Sequence, residues 1–313
     1  MPKPSIVILG AGGVGGYFGA RLVEHDAADV KFLVREARKS VLMRDGLSVK
    51  SPHGNIERMP VAAFTAAELA GAYPDYLLLT CKAYDLNAAM ETISPVVGPN
   101  TAIVPLLNGL AHIERLNQRF SRAQILPGSV SLQVRQNPDG TIEHLNAWQF
   151  FTVGEQDSGI TERVSRLVSA LERAMTTPSA SADIMQKMWE KIVMLASLAA
   201  MTTLMRAPVG TIASAPGGAE LSRRMLELNA AAAAHAGHPV PASLLDQWRT
   251  MFSDTGSTFA ASMLCDMARG GPVEADHIVG DKLQRVRAAG LDTTLHAIAY
   301  ANLKVFEAKR KAP

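Results

Sequence analysis

A short apolar run, Ser5-Ile6-Val7-Ile8-Leu9, leads straight into Gly10-x-Gly12-x-x-Gly15, and an apolar-periodic stretch follows from Val14 to His25. That order of strand, glycine turn and helix predicts the first βαβ unit of a dinucleotide-binding domain. Gly10 allows the tight turn, Gly12 lets a pyrophosphate approach the backbone, and Gly15 lets the helix pack on the strand. The phosphates are expected at the helix N-terminus, where free N–H groups and the helix dipole favour negative charge. An isolated glycine turn of this spacing says little; the strand before it and the helix after it give it meaning.

The rest of the chain is compatible with an ordinary enzyme. Its 313 residues allow one large or two ordinary domains, and a hydrophobic fraction of 48% is enough for packed cores. With 31 basic and 29 acidic residues the net charge is +2, and no basic stripe suggests nucleic acid. Cys81 and Cys265 are far apart and in no C-x-x-C arrangement, which argues against a disulfide scaffold and for a reducing compartment. The chain enters a strand without a basic-then-apolar leader, and its longest uncharged apolar run, Ile192 to Met205, is short for a bilayer. A cytoplasmic protein without a membrane or nucleic-acid partner is expected.

Two halves read differently. Candidate strands Ser5–Leu9, Asp29–Val34, Tyr76–Thr80, Thr101–Leu106 and Ile125–Val130 alternate with helical segments, which predicts a largely parallel, doubly wound sheet. Further strand-like pieces, Val130–Val134, Thr141–Leu145 and Gln149–Val153, predict a small antiparallel extension, with Asn137-Pro138-Asp139-Gly140 as a turn. From about Ser181 the pattern is helical, broken at Ala215-Pro216-Gly217-Gly218, Gly237-His238-Pro239 and Gly270-Gly271-Pro272. The expected architecture is therefore α/β: a Rossmann-type domain over 1–180 and an all-helical domain over 181–313, with a ligand cleft where they meet. Within the helices, Ala230–Ala234 reads as a close helix contact, and Met185, Met188, Met194, Met201 and Met205 read as core filling. His235 and His238 lack a third ligand nearby in sequence, so no metal site is expected.

The second strand should end at the adenosine ribose, where an acid suits NAD and an arginine suits the 2′-phosphate of NADP. Here it ends in Arg35, twenty residues after Gly15, and a guanidinium can hold a phosphate through two charge-assisted bonds. Glu36, next in line, is the opposing signal. NADP is the expected cofactor. Lys82, in Thr80-Cys81-Lys82-Ala83-Tyr84, and Asn108, in Asn108-Gly109, fall at the carboxyl edge of later strands, where ligands bind. On their own they are also ordinary loop and turn residues.

Taken in order, Gly10-x-Gly12-x-x-Gly15, Arg35, Lys82-Ala83, Asn108-Gly109, Trp189-x-Lys191, Ser262-Met263-Leu264-x-Asp266 and Glu274-x-Asp276-x-Ile278-x-Gly280 resemble the ketopantoate reductases (2-dehydropantoate 2-reductases) over nearly the whole length. The resemblance implies reduction of a branched 2-oxo acid by NADPH, in pantothenate biosynthesis. It implies that Lys191 is the catalytic lysine and that Glu274 binds the nascent hydroxyl. Ser262 would donate to the substrate carboxylate, and Asn108 would position cofactor and lysine. Arg35 and Lys82 would contact the adenosine phosphate. The chain departs from the family where asparagines are usual: Leu195, Ala199, Phe259 and Val279 stand in their places.

A lysine suits this chemistry because hydride transfer to a ketone creates an alkoxide that needs a proton and a positive charge. Lys191 lies between Trp189 and the apolar run from Ile192, so desolvation should lower its pKa toward neutrality, where a general acid works best. A nearby carboxylate such as Glu274 would pull it back up. A lysine on an apolar helix can also keep its head in water, and an acid in a first helical turn is ordinary dipole chemistry. Two alternatives follow: a reductase for a less polar 2-oxo acid, and a non-catalytic NADP(H)-sensing module. A homodimer is compatible with this architecture, and no feature of the sequence demonstrates one.

Overall fold

The computed structural model describes residues 2–175 and 177–311. The chain divides into two compact units, Met1–Leu107 with His112–Met185, and Asn108–Ala111 with Gln186–Pro313.

In the first unit, five parallel strands form one sheet in the spatial order Ala62–Phe64, Asp29–Leu33, Ser5–Leu9, Tyr76–Leu79, Ala102–Pro105. The order reverses between Ser5–Leu9 and Tyr76–Leu79, which pair Ile6 with Tyr76 through Leu9 with Leu79. A crevice outside the carboxyl ends at such a reversal is where doubly wound sheets bind ligands. The two inner strands are apolar on both faces, as parallel strands covered on both sides must be: Ile6, Val7, Ile8 and Leu77, Leu78, Leu79 are all buried. The helix Gly13–Glu24 packs beside them, with Phe18 edge-on to Phe151 at 5.2 Å between ring centroids.

The strand expected over Ile125–Val130 does not extend this sheet. Among the described residues it pairs with that sheet through one isolated bridge, Ile103 to Ile125. The strand proper is Gly128–Ser131, which pairs antiparallel with Phe150–Val153 in a second sheet completed by Thr177–Ala180. The fifth parallel strand is instead Ala62–Phe64, only three residues long and held by pairing with Lys31–Leu33. The piece expected over Gln149–Val153 lies in the sheet of Gly128–Ser131. The expected antiparallel extension is instead a mixed four-stranded sheet of Ile56–Met59, Leu47–Lys50, Ile142–His144 and Val134–Gln136, whose two central strands run parallel. Its last two strands form a hairpin whose turn is Asn137-Pro138-Asp139-Gly140, closed by Asn137 N–H to the Thr141 carbonyl at 2.8 Å.

The second unit is helical throughout: Ile184–Met205, Val209–Ser214, Gly218–His235, Ala242–Ser253, Ser262–Ala268, a π-helical turn Asp276–Gly280, Asp281–Ala288 and Thr294–Lys311. Ile184–Met205 is longer than the uncharged run within it, and by length and composition it could cross a bilayer; 72% of its most apolar window is buried by protein. Its methionines grade from core to surface, with Met188 and Met201 buried and Met205 40% exposed, so Met205 is not core filling. The alanine run buries one face only, through Ala230, Ala232 and Ala233. Three helices are tied by a buried polar chain: Asn229 Nδ2 donates to Ser197 Oγ at 2.9 Å, and His296 Nε2 is 3.1 Å from Asn229 Oδ1. Such a chain fixes helix register because each buried polar atom must keep its partner.

Candidate active site

The glycine turn in the first unit is built by close approach. Gly10 has φ +92°, a left-handed conformation that favours glycine. A Cβ on Gly15 would lie 2.5 Å from both the Gly10 carbonyl oxygen and Thr80 Oγ1, so nothing larger fits beneath the turn. Thr80 donates to the Leu9 carbonyl at 2.7 Å, locking the ends of the two central strands together. Gly12, the helix N-cap, meets nothing within 4 Å of a built Cβ: it faces open space.

That space is a groove of about 710 Å³, lined by Gly10, Ala11, Gly12, Val34, Arg35, Glu36, Arg38, Thr65, Thr80, Cys81, Asp85 and Gln136, among others. Arg35 is exposed at its rim as the N-cap of helix Glu36–Asp45. Lys82 is an exposed N-cap between the lining residues Cys81 and Asp85. Arg38, Gln136 and Thr80 also belong to this wall, and sequence reasoning does not single them out. Arg38 Nη2 donates to the Ala11 carbonyl at 3.2 Å, and Gln136 Nε2 reaches the same oxygen at 3.3 Å. The spacing of three from Arg35 on a helix would have flagged Arg38; Gln136 arrives from a distant hairpin and carries no local signal.

In the second unit, Lys191 is half-buried on helix Ile184–Met205, next to the buried Ile192 and Val193. Desolvation lowers its pKa from the ordinary 10.5 to about 8. Trp189, two residues earlier, is clasped from three sides: Lys282 Nζ is 4.3 Å from its ring centroid, the Arg285 guanidinium 4.9 Å, and the His238 ring stacks at 5.4 Å. Arg285 is anchored by Asp281 at 2.8 Å. Lys282 is 1% exposed, and burial pushes its pKa down to about 7. A buried lysine two residues after the Glu274–Gly280 segment is not legible in the sequence, since nothing there distinguishes it from a surface lysine.

Glu274 is half-buried and leads into the π-helical turn Asp276–Gly280; its carbonyl accepts from Ile278 N–H at 3.0 Å. The wider i→i+5 winding is rare and recurs at functional sites. Asn108–Ala111 belongs to this unit although the strand before it belongs to the other. Gly109 there has φ +96°, and a Cβ on it would stand 2.8 Å from His277 Nε2. The turn bearing Asn108 is thus packed on the residue three positions after Glu274. Ser262 is the exposed first residue of helix Ser262–Ala268. At the four expected asparagine positions, Ala199 and Val279 are buried and Leu195 and Phe259 half-buried. Among the described residues no group of three or more His, Cys, Asp or Glu could hold a metal ion.

Comparison with known proteins agrees with both units. Residues 6–158 match the ketopantoate reductase PanE/ApbA family model, and residues 183–307 match the model of the ketopantoate reductase PanE/ApbA C-terminal domain. The chain belongs to the ketopantoate reductase family. It is 32% identical over 305 residues to the uncharacterized oxidoreductase YkpB of Bacillus subtilis, covering 97% of this chain and 99% of that protein. It is 28% identical over 294 residues to the 2-dehydropantoate 2-reductase of Mesorhizobium japonicum, covering 88% and 89% of the two chains. The crystal structure of 2-dehydropantoate 2-reductase from Methylococcus capsulatus superposes with a TM-score of 0.87 at 25% identity, over 99% of this chain and 98% of that one. Ketopantoate reductase family members are oxidoreductases, and this chain is accordingly an NAD(P)-dependent reductase of small 2-oxo acids. The residues of the first groove fit such a dinucleotide: Gly12 leaves room for a diphosphate and Arg35 offers a donor fork.

Proposed function

We propose that the protein reduces 2-dehydropantoate to pantoate with NADPH, in the cytoplasm, as a step of pantothenate biosynthesis. The observation that carries the reading is a half-buried lysine whose pKa is drawn down to about 8. At neutral pH such an amine is still mostly charged, yet gives up its proton far more readily than a lysine in water. When bound, the nicotinamide supplies the hydride. The chain's own residues do the rest. Lys191 stabilises the forming alkoxide and delivers the proton. Glu274 accepts a hydrogen bond from the new hydroxyl. Ser262 donates to the substrate carboxylate, and Asn108 orients the lysine and the cofactor. Gly10, Gly12 and Gly15 form the diphosphate turn, with Arg35 and Lys82 on the adenosine phosphate. A homodimer is compatible with this reading, which includes no nucleic acid and no membrane.

A second reading, a less polar 2-oxo acid as substrate, is favoured by Leu195, Ala199, Phe259 and Val279. A site without polar side chains there gives no hydrogen bond to a hydroxylated substrate, and it loses only a modest factor in rejecting bulkier apolar ones. A panel of 2-oxo acids followed by NADPH absorbance separates the two. Highest kcat/KM with 2-dehydropantoate supports the first reading; highest kcat/KM with an alkyl or aryl 2-oxo acid replaces it with the second. No consumption of either nicotinamide with any 2-oxo acid would refute both.

A further inference from the structure

Helix Glu36–Asp45 carries three cations besides its N-cap Arg35, and they are treated differently. Lys39 pairs with Glu68, and Arg44 pairs with Asp45. Arg38 pairs with no carboxylate among the described residues. Its guanidinium is nonetheless half-buried, and burial alone lowers its pKa below the ordinary arginine value. Among the described residues only one of its donor arms has a protein acceptor, the Ala11 carbonyl at 3.2 Å. A guanidinium has five N–H donors in a rigid fork, so most of them are left to solvent or to a ligand in the groove. Partial dehydration without a counter-charge is unfavourable unless an anion arrives to offset it.

The position selects the anion. Arg38 follows Arg35 by one turn, its N–H bonded to the Arg35 carbonyl at 3.0 Å, so both arginines project over the same end of the groove. The Ala11 contact holds the guanidinium beside the glycine turn. The hairpin tip limits it from above, for a Cβ on Gly140 would be 3.1 Å from Arg38 Nη1. Glu36 and Asp85 line the same groove and oppose a phosphate; against them a single arginine leaves the lining net negative, and both arginines are needed to balance it.

We propose that Arg38 is a specificity-determining residue that, with Arg35, grips the 2′-phosphate of NADPH. The inference rests on the reading of NADPH as cofactor. Arg38 is the half that is pre-positioned by the fold, and Arg35 the exposed half that folds onto the bound phosphate. Ala11 accepts one arm, which leaves the outer edge of the guanidinium for two parallel N–H···O bonds to phosphate.

The test is titration of the intact protein with NADPH and NADH, and with 2′-AMP and 5′-AMP as competing fragments, for wild type, Arg38→Ala and Arg38→Gln. Both variants should weaken NADPH and 2′-AMP by ~10–100-fold, the loss of one bidentate charged contact, and leave NADH within about threefold. NADH binding also reports that the variants are folded, and Arg38→Gln keeps a donor for Ala11 if the alanine variant does not fold. Equal weakening of both dinucleotides would overturn the proposal, because it would put Arg38 on the shared diphosphate or in the scaffold. An NADPH preference that survives in both variants would overturn it alone and leave the cofactor reading standing. A wild type that binds NADH as tightly as NADPH would refute the cofactor reading, and this proposal with it.

Discussion

The placement of Lys191 makes a demand on the pH dependence of the reaction. A lysine in water titrates at 10.5, and burial here brings it to about 8, a difference worth roughly 3–4 kcal/mol against the charged form. On the proposed role, reduction consumes the proton of this amine, so the charged form is the active one. The sign follows: kcat/KM should be flat below about pH 8 and fall tenfold per pH unit above it, reaching about one-thirtieth of its plateau at pH 9.5. The substrate carboxylate is ionised throughout and contributes no slope. Two variants separate charge from proton. Lys191→Arg keeps a cation that does not deprotonate, and Lys191→Met keeps neither. Both should lose ~10²–10⁴ in kcat, with arginine the less damaged, and neither should show the break near pH 8. The assay is steady-state NADPH consumption from pH 6 to 10, with cofactor affinity measured separately by fluorescence and expected to stay within threefold. A wild-type profile flat to pH 10, or turnover in Lys191→Met within a few-fold of wild type, would refute the assignment of the proton to this amine.

Lys282 titrates in the same direction but reports stability. Its folded pKa of about 7 lies below the 10.5 of the unfolded chain, so the cost of burying its charge is full below pH 7. Between 7 and 10 the unfolded state holds the extra proton, and stability rises with pH by up to about 5 kcal/mol, less what the Trp189 ring offsets. Denaturant unfolding of Lys282→Met should show a smaller rise over that window and a gain at pH 6; curves parallel to wild type would contradict it. Gly109→Ala should cut kcat more than tenfold, because its Cβ would displace His277 or the Asn108 turn; unchanged turnover would show that the turn yields freely. Val279→Asn should destabilise the protein by ~1–3 kcal/mol unless the amide finds partners, and should raise preference for hydroxylated over plain 2-oxo acids in the substrate panel. An unaltered preference would remove Val279 from the specificity argument.

The central strands are readable because a parallel strand covered on both faces is an unbroken apolar run, as in Ile6–Ile8 and Tyr76–Leu79. Ala62–Phe64 and Thr177–Ala180 are not, since three or four residues carry no period, and Pro178 argues against a strand unless it lies at an edge, as it does. Gly128–Ser131 is displaced from its expected sheet because a run of apolar residues gives no information about partners. The same limit governs the site. The glycine turn is local and periodic, so it can be read directly. Lys191, Ser262 and Glu274 come from the order of weak motifs along the chain, not from any one of them. Arg38 and His277 matter through the backbone they face, at Ala11 and Gly109, far away along the chain in the second case, and only folding reveals such neighbours.

The tetrapeptide Asn108–Ala111 makes the chain change units three times rather than once. Recombination between relatives therefore cannot exchange a whole unit at a single junction. A hybrid joined at residue 185 would carry four foreign residues into the helical unit, against a histidine that tolerates only glycine at their second position. Exchange of the half that carries the glycine turn should succeed only when those four residues travel with the helices, and that linkage ties the histories of the two halves together.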